Sequence, residues 1–149
     1  MAILLCVLSL STLSSCTKDN GGGGNDNTGI EFRMISNGHG MNEVYFGEYD
    51  SGSYYYSIRL WIDSSNNFIV DCGDIASVGS VNNLSRIKNI PETGWVDEIA
   101  VHPGYGYVIR YKENSNASYQ YARIYVEEWI ESTSGGIIGA VLWYEDNWK

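Results

Sequence analysis

Basic charge is scarce in this sequence. Nine Lys and Arg stand against 18 Asp and Glu, the net charge is −9 and the pI is about 4.5. No run of Lys or Arg occurs, so the chain carries no electrostatic footprint for nucleic acid or for an anionic membrane surface. Histidine is limited to His39 and His102, far apart and each beside turn-forming residues. A zinc site needs three or four fixed ligands, so no metal is expected. No Gly-x-Ser-x-Gly elbow exists to nominate a nucleophilic serine. Proline is limited to 2 residues, whereas aromatic side chains abound: 12 Tyr, 5 Trp and 3 Phe, all after Gly29. Such apolar bulk is foreign to disordered chains and points to a folded body.

The apolar run over residues 2–13 covers only about 18 Å as a helix, short of the ~30 Å hydrocarbon core of a bilayer. It reads as the apolar region of a signal peptide. Leu13-Ser14-Ser15-Cys16 follows directly and resembles the lipobox of bacterial lipoproteins. That resemblance implies a signal peptide over residues 1–15 and lipidation of Cys16, which then tethers the mature chain to a membrane. The expected location is the cell envelope, as an outer-membrane lipoprotein on the periplasmic face or the cell surface. No Lys or Arg precedes Lys18, so the basic flank of a signal peptide is missing and Met1 is expected not to be the natural start.

With Cys6 removed and Cys16 acylated, Cys72 is the one thiol left, which forbids an intramolecular disulfide. Its sequence neighbours Asp71 and Asp74 do nothing to lower its pKa, and it reads as structural. Residues 16–28 form the lipidated cysteine and a spacer with four consecutive Gly and no apolar side chain after Cys16, with a reach of roughly 20 Å. Residues 29–149 are enough for a single core.

The body reads mostly in period two. Tyr54, Tyr56, Ile58, Leu60 and Ile62 form one apolar face of a strand, with Tyr55, Ser57, Arg59, Trp61 and Asp63 opposite. Polar turn residues 63–67 then lead into Phe68-Ile69-Val70, which predicts a hairpin. Residues 107–112 and 118–130 predict a second hairpin across the polar turn 113–116. On its longer strand Ala122, Ile124, Val126 and Ile130 make the core face, opposite Tyr119, Tyr121, Arg123, Tyr125 and Trp129. Residues 137–144 are apolar on both faces and predict a central strand, with Gly139 allowing close backbone approach. A shorter strand fits residues 30–35. In the middle, Ile75, Val78, Val81, Leu84, Ile87 and Ile90 recur every third residue. On an α-helix that pattern drifts by about 60° per step, so the segment is read as irregular chain packed over one end of the sheet, with a short turn near residues 84–87.

Pro103-Gly104-Tyr105-Gly106-Tyr107-Val108, Tyr121-Ala122-Arg123-Ile124-Tyr125-Val126 and Thr133-Ser134-Gly135-Gly136-Ile137-Ile138-Gly139-Ala140 together resemble a C-terminal module of small lipoproteins from gut Bacteroidales. Ile87-Lys88-Asn89-Ile90-Pro91 and Gly94-Trp95 resemble the same module, which spans about half of the chain. The resemblance implies a host class and a compartment, and no activity. The chain departs from the pattern at Tyr105, where the module has His, and at Leu142-Trp143-Tyr144-Glu145 in place of a Val-Lys-Tyr-Gln-like ending.

Chemical motifs are sparse. Asp63, Ser65, Asn67, Asp71 and Asp74 follow an EF-hand-like spacing, but Phe68 stands where the loop needs Gly and the segment reads as strand. The acid pairs Asp97/Glu98, Glu127/Glu128 and Glu145/Asp146 point to opposite faces of a strand. Gly104-x-Gly106 precedes a strand, where a phosphate loop requires a helix.

The expected fold is therefore mainly β, a single domain of about six to eight antiparallel strands in a sandwich or partly open barrel. The expected function is a membrane-tethered envelope lipoprotein acting as a non-catalytic binding or interaction module. The candidate surface is Tyr119, Tyr121, Arg123, Tyr125 and Trp129, which either meets a ligand or is covered by a second layer. The alternatives are a glycan-binding protein of a polysaccharide-uptake system and a hydrolase with a loop-assembled site. No cofactor is expected, and the expected partners are the membrane and a glycan or envelope protein.

Overall fold

A computed structural model describes residues 29–36 and 42–149. The expected signal peptide, Cys16, the glycine-rich spacer and His39 lie outside the described residues. The described chain is almost entirely β: β1 (Ile30–Ile35), β2 (Val44–Asp50), β3 (Tyr55–Ile62), β4 (Asn67–Asp71), β5 (Gly73–Ser80), β6 (Glu98–Ala100), β7 (Tyr105–Tyr111), β8 (Gln120–Glu131) and β9 (Ile137–Glu145). The one helical element among these residues is a 3₁₀ turn over Leu84–Arg86, with Asn83 capping it by accepting from the Arg86 N–H.

The strands form two antiparallel sheets that stack as a sandwich. One is five-stranded in the order β1-β9-β8-β7-β5, the other four-stranded in the order β2-β3-β4-β6. Both predicted hairpins are present, β3 with β4 and β7 with β8. The β3 alternation buries Ile58, Leu60 and Ile62 completely. They meet Tyr107, Ile109 and Tyr111 of β7 and Ala122, Ile124 and Val126 of β8 in the core between the sheets. Each such aliphatic side chain contributes about 1.5–3 kcal/mol by burial.

The β9 strand is central, between β1 and β8, as its two-sided apolar sequence predicts. Gly139 faces Ile35 of β1, and a Cβ there would overlap the Met34 carbonyl oxygen and lie 2.8 Å from the Ile35 Cα. On β7 a Cβ at Gly106 would sit 2.7 Å from Val78 and 2.8 Å from Ile87, so this glycine serves close packing, not an unusual φ.

Three expectations are corrected. First, residues 73–80 of the middle segment form a strand, β5. Ile75 and Val78 stand three apart, so plain alternation sends Ile75 into the inter-sheet core and Val78 to the outer face, and a bulge between Ser77 and Gly79 then interrupts the strand. The rest of the segment, residues 81–96, is irregular, but it lies over the outer face of the five-stranded sheet, not over one end. Second, β8 carries a bulge between Val126 and Glu128, where one extra residue exchanges the two faces. Trp129 consequently packs against the inter-sheet core, and Ile130 leaves that cluster while staying buried. Third, Tyr54 and Tyr56 are exposed, although they continue the apolar parity of β3. β4 pairs with β3 only from Arg59 to Ile62, so the first half of β3 pairs with the end of β2 alone, as a two-stranded ribbon whose β2 strand is tied by the Asp50 N–H to the Glu113 carbonyl.

Candidate binding site

The outer face of the five-stranded sheet is set by register. Asp74 of β5, Arg110 of β7 and Tyr121 of β8 lie in one row across three strands. The next row is Ala76, Val108, Arg123 and Glu145, and the third is Gly106, Tyr125 and Trp143. Side chains in a row are neighbours on the same face, so a tyrosine-rich β8 meets cations from β7 and aromatics from β9.

Most of this face is covered. Leu84 and Ile87 of the irregular segment pack on Val108 and Tyr125, with Val78, Val81, Trp95, Tyr121, Trp143 and Trp148 around them. The C-terminal tail closes the cover by main-chain pairing: the Trp148 N–H donates to the Tyr121 carbonyl at 2.9 Å, and the Tyr121 N–H to Lys149 at 3.2 Å. Arg123 holds cover and sheet together. Its Nη1 donates to the Ile87 carbonyl at 2.8 Å, its Nε and Nη2 donate to Glu145 at 2.9 and 2.6 Å, and its guanidinium lies 5.2 Å from the Trp148 ring centre.

The five residues singled out in the sequence therefore separate. Tyr125 and Arg123 are each only 8% exposed, and Arg123 spends its donors inside the protein, so at these two residues the face is covered by a second layer. Trp129 faces the opposite side of the sheet. Tyr121 is half-buried, its ring 6.4 Å from Trp95 and 6.3 Å from Tyr119. Tyr119 alone of the five is exposed, at 43%.

Around Tyr119 the cover ends and an open rim begins. The Arg110 guanidinium lies 4.5 Å from the Trp95 ring centre and 5.0 Å from that of Tyr119, and the Lys112 ammonium is 4.4 Å from the Tyr119 ring centre. Rings and cations thus alternate in a ladder, each cation drawn to the negative faces of the rings. The ladder borders a shallow depression of about 230 Å³ whose walls include Tyr49, Cys72, Asp74 and Tyr111. Asp74 accepts from Arg110 Nε at 2.8 Å, and the Tyr111 hydroxyl donates to Asp146. Burial, and secondarily Asp71, pushes the Cys72 thiol up, so it stays protonated and is a poor nucleophile.

Sequence reading missed Trp95, Arg110 and Lys112. Register could have found two of them, because closing the hairpin at residues 113–116 sets Arg110 opposite Tyr121. Trp95 gives no such signal, since it arrives on irregular chain.

The remaining motifs do not assemble a site. Asp63 Oδ1 accepts the Ser65 and Asn67 N–H groups and shapes the β3–β4 turn, while Asp71 pairs with Arg59 and Asp74 with Arg110. The EF-hand-like spacing therefore spends its carboxylates on different partners. Glu145 turns outward to Arg123 whereas Asp146 meets Tyr111, and Glu127 accepts from Trp143 Nε1 at 2.8 Å. The His102 ring lies tilted against that of Tyr105, with centres 5.1 Å apart. Further exposed tyrosines are Tyr54, Tyr55 and Tyr56 on the β2–β3 ribbon and its approach, and Tyr45 nearer the start of β2. Comparison of the chain with protein-family models, with curated proteins and with solved structures gives no match.

Proposed function

We propose that the chain is a non-catalytic binding module, held to the cell envelope by a lipid on Cys16, and that it grips a saccharide at the Tyr119 rim. The observation that carries this reading is the ladder of half-buried Trp95, Arg110 and Lys112 around the exposed Tyr119, beside a depression. Rigid rings offer contact area to the apolar face of a sugar at low entropic cost, and the adjoining Arg, Lys and Asp groups are suited to its hydroxyls. The rim also argues for binding over hydrolysis. A glycosidase needs two carboxyl groups at about 5–5.5 or 6.5–9.5 Å, and the rim's carboxylate, Asp74, is engaged by Arg110. One shallow site binds weakly, and many tethered copies on one surface multiply its effect.

Two experiments test the two halves. On a glycan array, the detergent-solubilised full chain should retain a saccharide that Tyr119→Ala releases. Retention that is indifferent to Tyr119→Ala, or none at all, refutes the rim as a sugar site. Palmitate labelling of cells should mark the wild type and leave Cys16→Ser unlabelled, whereas equal labelling refutes the anchor.

A further inference from the structure

Of the sheet edges among the described residues, three are blunted against further pairing. β5 is capped at Ile75 by Val96, through main-chain bonds of 2.7 and 3.0 Å, and bulges after Ser77. β2 has a register shift between Tyr45 and Gly47 and is tied by the Asp50 N–H to the Glu113 carbonyl, and β6 is only 3 residues long. Bulges, covering segments and short strands are the usual protection of an edge. β1 has none of them among the described residues: its 6 residues run against β9 without a register shift, and no described strand pairs with its other side.

Which groups face that free side follows from one bond. The Ser36 N–H donates to the Ile138 carbonyl at 2.7 Å, continuing the register in which Ile35 faces Gly139. Main-chain groups alternate in direction along an antiparallel strand, so Ile30, Phe32 and Met34 bond β9, while the N–H and C=O groups of Glu31, Arg33 and Ile35 point away from the sheet. The side chains add a second, independent feature. Glu31 and Arg33 are exposed, carry opposite charges and have no ion-pair partner among the described residues. Between them on the other face of the strand lies half-buried Phe32, and Ile30 on that same face is 59% exposed.

We infer that β1 is a dimer edge, which pairs antiparallel with β1 of a second copy about a two-fold axis at Phe32. The charges select both the partner and the register. With Glu31 opposite Glu31, or Arg33 opposite Arg33, like charges meet and repel. The register between these two sets Glu31 opposite Arg33 of the second copy and Arg33 opposite its Glu31, so a self-complementary pattern answers each charge with its opposite. In this register each of the two charged pairs exchanges both main-chain bonds, the two Phe32 side chains meet, and Ile30 lies opposite Met34 of the other copy. Residues paired across antiparallel strands share a face, so the outer faces that carry the two Tyr119 rims look the same way.

The test is sedimentation equilibrium of the full chain in density-matched detergent. The wild type should show a reversible monomer–dimer equilibrium. Arg33→Glu or Glu31→Arg should weaken it at least ten-fold, because each sets like charges at both contacts. Both positions are exposed, so each variant should keep the melting temperature of the wild-type monomer. Mixing the two variants should restore the dimer, since an all-acidic edge then meets an all-basic one, and so should the double exchange Glu31→Arg, Arg33→Glu within one chain. Amide hydrogen exchange at Glu31 and Arg33 should slow as the wild-type concentration rises. A wild type that stays monomeric up to millimolar concentration, single variants that dimerise as the wild type does, or a mixture of the two that stays apart would each overturn the proposal.

Discussion

Removal of one hydroxyl, by Tyr107→Phe, separates two contributions that have different pH dependences. Tyr107 is fully buried on β7, its ring edge-on to Phe68 at 5.2 Å. Its hydroxyl donates to the Ala100 carbonyl and accepts from the His102 N–H, both at 2.9 Å. Ala100 ends β6 in the four-stranded sheet, so this phenol ties the two sheets together. The Phe variant keeps the ring and leaves two main-chain groups without partners, at a cost of about 1–3 kcal/mol near neutrality. Burial pushes the phenol up to about 12, above the roughly 10 of an unfolded tyrosine. A raised value means that the stabilisation is complete below pH ~10 and is lost as pH rises through about 12. By linkage the wild type should forfeit about 2 kcal/mol between those limits from this group. The variant has no phenol here to ionise. Tyr111, Tyr125 and Tyr144 are raised too, chiefly by burial, but both proteins contain them and their effects cancel. Urea denaturation at pH 8, 10, 11 and 12 should show a gap between the two proteins that is open at pH 8 and closes by pH 12. A gap that stays constant with pH, or no gap at pH 8, would refute the reasoning.

Three other substitutions probe the frame. Ile124→Ala, in the inter-sheet core, should cost about 2–5 kcal/mol in chemical denaturation, and wild-type stability would place β8 in the wrong register. Gly139→Ala drives a methyl group into the β1 main chain and should cost about 3 kcal/mol, read as a fall in melting temperature. Arg123→Ala removes the bonds to Ile87 and Glu145 and should cost about 2–3 kcal/mol, with limited proteolysis then cutting within residues 81–96 first.

Much of the frame was legible because the strands of its core keep strict alternation. Ile58, Leu60 and Ile62, and Ala122, Ile124 and Val126, occur in uninterrupted period two, and polar turns punctuate them. Alternation failed wherever one residue was inserted. β2 has a register shift between Tyr45 and Gly47, β5 has one after Ser77, and β8 has one after Val126. Each hides a strand or moves its later side chains to the other face, as Trp129 shows. The outer face of the five-stranded sheet was harder to read for a different reason. In sequence, an arginine among tyrosines looks the same whether its donors wait for a ligand or reach a carbonyl 36 residues away, as those of Arg123 reach Ile87. The cover that decides the matter is irregular chain, and its apolar residues carry no period that names the surface they seek. Tyr119 escapes cover because it precedes β8, at the point where the segment bearing Trp95 has turned toward β6.

The most direct test of the Tyr119 rim is a calorimetric titration of an array-retained saccharide into the wild type, Tyr119→Ala and Tyr55→Ala. Tyr119→Ala should fold with an unchanged melting temperature and bind at least five-fold more weakly, about 1 kcal/mol for one stacked ring, while Tyr55→Ala binds as the wild type does. Undiminished affinity in Tyr119→Ala, or a loss confined to Tyr55→Ala, would contradict the account and move the ligand face to the β2–β3 ribbon.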